Sequence, residues 1–281
     1  NMLRIVSFFY NTSSKLSFFF NKLSKRFAKA ALELNILKYH IQFGEREDDI
    51  YIVTYPKSGT TLMQMIVYQI VTDGSMDFDH IYDVSPWTDN DAFLDLPPRE
   101  LKSPRIIKSH RIQQKFDRDT KGKFIVVVRN GIDVAVSQYH QNKNYNDSNL
   151  KFDEFYDDFL NKKENWFEHC QSWIKNKNKS EILYINYEEL VSDFDASIKK
   201  VAKFINCEIN PKDLPRIRER CSFEFMKENE EKFGDKKEEK KQEKIYNEFI
   251  RKGKVGEGIS YLSKKQNDEF QKTLTKYNMN N

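Results

Sequence analysis

YIVTYPKSGTTLMQMIVYQI, residues 51–70, is the stretch on which the fold turns. Tyr51 to Tyr55 is apolar enough for a buried strand. The run stops at Pro56-Lys57-Ser58-Gly59-Thr60-Thr61, and apolar residues then return at helical spacing as far as Val71. The pattern predicts strand, tight turn and helix in succession. Gly59 permits the turn, and the amides of Gly59, Thr60, Thr61 and Leu62 open the helix. Amides at the positive end of a helix dipole favour an anion. The hydroxyls of Thr60 and Thr61 and the ammonium of Lys57 strengthen that preference. Taken alone, the hexapeptide also reads as an ordinary strand-turn-helix junction. It is not a Walker A loop, because Lys57 precedes Gly59, whereas GxxxxGK[ST] puts its lysine after the second glycine. Metal-assisted hydrolysis of a nucleoside triphosphate is therefore disfavoured.

Outward from that stretch, strands and helices alternate. DDIYIVTY (48–55), RIIKSH (105–110), KFIVVVRN (123–130) and EILYINY (181–187) read as strands. Helices are expected over Thr60–Val71, after Gly131, along the face Trp166, Cys170, Trp173 and Ile174, and along Ile198, Val201, Ala202 and Ile205. This order predicts an α/β fold, a central parallel sheet flanked by helices in a single domain. Such sheets bind ligands beyond the carboxyl ends of their strands. Lys57, His110, Arg129 and Tyr187 all fall at such ends.

The chain has 281 residues, 38% hydrophobic and 14% aromatic, enough for a substantial core despite 32% charge. A net charge of +4 suits an anionic small molecule and makes no case for nucleic acid. Cys170, Cys207 and Cys221 are odd in number and lack CxxC spacing, so neither a metal site nor a disulfide framework is expected, and a reducing compartment is. No run approaches the 18 or so apolar residues of a membrane span. Residues 1–38 form a basic amphipathic region. Arg4, Lys15, Lys22, Lys25, Arg26 and Lys29 precede the first acid, Glu33, and Leu16, Phe19, Phe20, Leu23, Phe27, Ala30, Ala31 and Leu34 recur at helical spacing. Three readings stand: a helix packed on the body, a membrane-surface helix, or a targeting segment. Between Lys227 and Lys244, seven acids balance seven bases, which reads as a solvated helix or mobile loop.

Three further stretches carry chemistry. In RIIKSH, Lys108 and His110 are two apart on a strand and share a face. A neighbouring lysine disfavours protonation of histidine and keeps it available as a base near neutral pH. In VVVRNGIDVAVSQYH, Arg129 ends an apolar strand and suits bidentate phosphate binding. Ser137 follows two helical turns later. In RKGKVGEG, residues 251–258, two adjacent cations and spaced glycines could close over a phosphate. Each has a plainer reading alone: a partnered histidine, a surface salt bridge, a common Lys-Gly loop.

Together, YPKSGTT, RNxxDVAVS and the late RKG resemble the cytosolic-type sulfotransferases, in that family's order, from about Asp49 to about Tyr277. The resemblance implies a P-loop-like central sheet over residues 39–281. It also implies transfer of a sulfuryl group from 3′-phosphoadenosine-5′-phosphosulfate (PAPS) to an acceptor hydroxyl or amine, releasing PAP, without a metal. Lys57, Ser58, Gly59, Thr60, Thr61 and Leu62 then match the 5′-phosphosulfate loop. Arg129, Ser137, Arg251, Lys252 and Gly253 match the 3′-phosphate ligands, and Tyr187 a nucleotide-contacting tyrosine. Ser222, Phe223 and Met226 match the segment lining the adenosine, and residues 227–250 match a mobile lid. His110 is the implied base, Lys57 the cation at the bridging oxygen, and Lys108 a holder of the sulfuryl group. Ser137 is the implied tether that draws Lys57 toward the 3′-phosphate until an acceptor arrives. The implied location is cytoplasmic, peripheral at a membrane if the basic helix binds lipid.

Four departures qualify the match. Leu62 replaces an adenine-stacking tryptophan, and Gly256-Glu257-Gly258-Ile259 replaces Gly-Asp-Trp-Lys. The family's dimer motif is not preserved at Ile259, Ser263-Lys264 and Asp268. Gln141 stands where phenol-specific members carry an aromatic gate, which points to a polar or large acceptor. The rival readings are a P-loop nucleotide kinase and a non-catalytic membrane-surface adaptor that binds PAP or phosphate.

Overall fold

The structure, a computed structural model, describes residues 22–24, 26–28, 30–116, 120–175, 179–234 and 249–279. Residues 1–21 of the basic N-terminal region and 235–248 of the expected lid lie outside the described residues.

Two compact units form. One joins the described residues up to Gly44 with Thr88–Arg99; the other holds Glu45–Trp87 and the described residues from Glu100 onward. In the first unit, residues 30–43 are helical. Asn35 Nδ2 donates to the Ala92 carbonyl at 2.7 Å, Tyr39 Oη to Asp91 Oδ2 at 3.3 Å, and His40 pairs with Asp89 at 3.3 Å.

The second unit is the α/β body. Its strands are β1 (Ile50–Thr54), β2 (Ile106–Ser109), β3 (Lys123–Val128) and β4 (Ile182–Asn186). All are parallel, in the order β2-β1-β3-β4. Tyr51 lies opposite Ile107 on one side and Phe124 on the other. The helices that concern the site are α1 (Thr60–Val71), α2 (Gly131–Tyr145), α3 (Phe152–Asn161), α4 (Trp166–Ile174), α5 (Tyr187–Ser192), α6 (Phe194–Phe204), α7 (Leu214–Arg220), α8 (Phe223–Glu228) and α9 (Lys264–Lys276).

β1 is buried at every residue, as a central parallel strand covered on both faces should be. One core joins Ile50, Ile52, Ile125, Val127 and Ile185 to Met63 and Ile66 of α1 and to Ile198 and Val201 of α6. A second gathers Ile132, Val134 and Ala135 of α2 with Phe155 and Phe159 of α3, Trp166 and Phe167 of α4, and Phe270 of α9. At the amino edge, Arg105 donates from Nε and Nη2 to the two carboxylate oxygens of Asp49, each at 2.7 Å, with both side chains buried. That pair anchors β1 to the segment entering β2, at the end of the sheet opposite the strand ends that carry the site.

The expected strands and the α1 helix appear where the sequence places them. α3 was not anticipated, although Phe155, Tyr156, Phe159 and Leu160 are buried at helical spacing along it.

Candidate active site

Lys57, His110, Arg129 and Tyr187 follow the carboxyl ends of β1, β2, β3 and β4, and all four line one cavity of about 700 Å³. Gly59, Thr60, Thr61, Leu62, Lys108, Ser137, Ser222, Phe223, Met226, Arg251, Lys252 and Gly253 share its wall. Ser58 alone of the expected site residues is not there; it is 1% exposed, and its Oγ has no hydrogen-bond partner among the described residues.

The turn leaves the first amides of α1 without a side-chain cap. Gly59 is the N-cap of α1 at φ 94°, a left-handed conformation, and has no side chain to cap the first turn. No acidic residue sits in that turn either. A Cβ at Gly59 would lie 2.6 Å from Tyr187 Cδ2, so the tyrosine ring packs directly on the turn. Lys57 itself takes φ 69°, an uncommon conformation for a residue with a side chain, and one the sequence did not signal. Its ammonium lies over the Phe249 ring, 4.7 Å from the centroid.

Arg129 ties the parts together. Nη1 donates to the Lys57 carbonyl and Nη2 to the Lys254 carbonyl, each at 3.1 Å, and the guanidinium lies over the Tyr187 ring at 4.6 Å. Its Nε is buried with no hydrogen-bond partner among the described residues. A buried donor without an acceptor is costly, and an anion in the cavity would supply one. Burial raises the pKa of Tyr187, with Arg129 opposing, so the ring stays neutral beneath that cation. Gly253 packs on Phe223, where a Cβ would meet Cδ2 at 2.7 Å, and so joins the RKG loop to the start of α8.

His110 is held in one tautomer. Its Nδ1 lies 2.8 Å from the Thr54 carbonyl, which only accepts, so Nδ1 carries the proton and Nε2 is the basic nitrogen. Thr54 Oγ1 also bonds Thr60 Oγ1 at 2.6 Å and lies 3.3 Å from His110 Nδ1, linking the histidine to the PKSGTT turn. Trp87, in a loop the sequence did not mark, sets its ring edge-on to His110 at 5.1 Å. Lys108 is buried, donates from Nζ to Tyr82 Oη at 2.7 Å, and lies 4.2 Å from the Trp87 ring centroid. Trp87 thus packs against both of the residues that alternation put on one face of β2.

Ser137, His140, Gln141 and Asn144 of α2 line the same cavity. Their spacing at i, i+3, i+4 and i+7 is that of one helical face and was legible in the sequence. Among the described residues, no group of three or more His, Cys, Asp or Glu side chains is placed to hold a metal, and no helix is long and apolar enough to cross a membrane. All three cysteines are free thiols.

The family model for the sulfotransferase domain matches residues 47–280. Sulfotransferase 1B1 of Mus musculus is 32% identical over 249 residues, covering 82% of each chain. An amine sulfotransferase of Oryctolagus cuniculus is 28% identical over 259 residues, 87% of this chain and 85% of the relative. Among solved structures, mouse sulfotransferase SULT7A1 complexed with PAP superposes with a TM-score of 0.67 at 28% identity, covering 86% of this chain and 88% of that one. With an α/β parallel sheet, a glycine-capped turn after its first strand and a family match spanning most of its length, this chain is an enzyme of the sulfotransferase family.

Proposed function

We propose that the chain moves a sulfuryl group from PAPS to a hydroxyl or amine of a small acceptor, with His110 as general base. The observation that carries this reading is the Thr54 carbonyl at His110 Nδ1, which reserves Nε2 for a proton in a cavity that also holds the PKSGTT turn and Arg129. The nucleotide fits the residues present: an uncapped helix start, a buried Arg129 Nε lacking an acceptor, and a cation fork at Arg251 and Lys252.

When bound, PAPS supplies the activated sulfuryl group. The acceptor's proton passes to His110 Nε2 as its oxygen or nitrogen bonds to sulfur. The bond from sulfur to the bridging oxygen breaks, and PAP leaves. The amides of Gly59 to Leu62 and the ammonium of Lys57 stabilise the charge that grows on the phosphate side. Lys108, held by Tyr82 and Trp87, holds the sulfuryl oxygens. Arg129, Ser137, Arg251, Lys252 and Gly253 hold the 3′-phosphate, while Tyr187, Ser222, Phe223 and Met226 frame the adenosine. Ser137 draws Lys57 away until an acceptor binds. Residues 39–281 form the catalytic domain, and no metal takes part. A nucleotide kinase is set aside by the family match, and a bare phosphate-binding adaptor has no use for a histidine fixed as a base.

Gln141, His140 and Asn144 on the cavity wall support an acceptor that is polar or large. The protein acts in the cytoplasm, with the N-terminal helix resting on an anionic bilayer. Phe27, Leu34, Leu37 and Ile41 are 67%, 66%, 55% and 71% exposed at spacings of seven, three and four residues, opposite the more buried Leu32, Ile36, Tyr39 and Phe43. Sedimentation with phosphatidylserine vesicles, lost on Leu34→Lys with Leu37→Lys, tests that placement; equal recovery of both proteins in the supernatant rejects it.

The reaction is tested with radiolabelled PAPS and a broad acceptor panel in EDTA. Wild type is expected to label an acceptor. His110→Ala is expected to lose about 10²–10⁴ in rate while binding PAP as before. Turnover unchanged by the substitution would refute the base assignment.

A further inference from the structure

Arg251 and Lys252 already share an anion. Arg251 Nη1 and Nη2 donate to Glu257 Oε1 and Oε2, each at 3.0 Å, and Lys252 Nζ donates to Oε1 at 2.7 Å. The carboxylate and the guanidinium are each less than one-fifth exposed. Bonding to Arg251 foremost, with Lys252 assisting and burial opposing, pulls the Glu257 carboxyl down to about 2.

The backbone around Glu257 is clamped. Gly256 N and Gly258 N donate to Asp133 Oδ2 and Oδ1, both at 2.7 Å, and Asp133 is buried in the first turn of α2. A Cβ at Gly258 would meet Ile132 backbone at 2.7 Å, so the loop lies flat on that helix. The Lys254 carbonyl is held by Arg129. Glu257 is therefore kept beside the fork by its neighbours on both sides.

We propose that Glu257 is a resident anion of the 3′-phosphate subsite, exchanged for the nucleotide's 3′-phosphate on binding and returned to the fork when PAP leaves. The proposal rests on the sulfotransferase reading of Arg251 and Lys252. The carboxylate occupies the Nη1/Nη2 end of the Arg251 guanidinium and the Lys252 ammonium, so a phosphate that takes those same donors gains only the difference between its own contacts and the carboxylate's. The displaced carboxylate also stays close enough to repel the phosphate. Glu257 thereby weakens nucleotide binding and speeds product release.

The test compares PAP with 5′-AMP, which lacks the 3′-phosphate, by calorimetry and stopped-flow displacement on the full chain. The variants are Glu257→Gln, Arg251→Gln and the double substitution. Glu257→Gln is expected to tighten PAP roughly tenfold, a typical coupling within one charge network, mainly by slowing dissociation, and to leave 5′-AMP unmoved. In the Arg251→Gln background the gain is expected to shrink severalfold. Weaker PAP binding by Glu257→Gln, or equal effects on PAP and 5′-AMP, would assign Glu257 a purely structural role and overturn the proposal. If wild type binds PAP no better than 5′-AMP, the 3′-phosphate reading itself fails, and the proposal with it. If wild type prefers PAP and Glu257→Gln changes nothing, only the resident-anion proposal fails.

Discussion

Gly59→Ala perturbs the PKSGTT turn without altering His110. Two costs add. At φ 94°, an alanine sits in left-handed space, which carries about 1–2 kcal/mol. Its methyl would also stand 2.6 and 2.8 Å from Tyr187 Cδ2 and Cε2. Ring or turn must shift, at about 1–3 kcal/mol for overpacking in a packed interior. The sum is about 2–5 kcal/mol, or a fall in Tm on the order of 10 °C at about 2–4 °C per kcal/mol. Because Arg129 lies over that ring at 4.6 Å, the same shift is expected to weaken PAP binding about tenfold. Tyr187→Ala in the same chain removes the clash, so the double variant should lose less than the two single losses combined, by roughly 1–3 kcal/mol. Urea titration followed by tryptophan fluorescence reads the stability, and calorimetry reads the affinity. Stability of Gly59→Ala within about 0.5 kcal/mol of wild type, or strict additivity with Tyr187→Ala, would show that the turn is not held against the tyrosine.

Two other perturbations test the frame. Asp49→Ala removes the carboxylate that accepts from buried Arg105 at both oxygens, and is expected to cost about 3–5 kcal/mol in urea unfolding, whereas exchanging both partners for apolar residues should cost far less. His169 is buried, and burial pulls its pKa down to about 3, with a backbone bond to Arg111 opposing. The fold therefore favours the neutral ring. Its contribution is complete above about pH 6.5 and is lost as pH falls from there toward 3, at about 1.4 kcal/mol per pH unit. His169→Gln should flatten stability against pH across that window, and an unchanged slope would reject the assignment.

How much of this was legible varies with the element. β1, β2 and β3 were, because strands covered on both faces read as apolar runs and each ends where polar residues begin. The start of α1 was, because Gly59 followed by two threonines both ends a strand and opens a helix. The polar face of α2 could have been read further, through His140 and Asn144. Lys57 at positive φ carried no signal, since nothing about a lysine announces that backbone. Trp87 carried none either, because it enters the site from a loop with no periodicity.

The sequence by itself determined the α/β class, the turn at Gly59 and four of the cavity's residues just beyond the strand ends, Lys57, His110, Arg129 and Tyr187. Each rests on local information: apolar runs, a glycine, and the residue just beyond a strand. Tertiary structure alone decided the order β2-β1-β3-β4, which brings the ends of strands 130 residues apart to one rim. It also set the Thr54 carbonyl on His110, Trp87 against both Lys108 and His110, and Glu257 in the fork of Arg251 and Lys252. Those are contacts through space, fixed by strand pairing and by which side chains remain to satisfy a buried charge. No spacing along the chain encodes them.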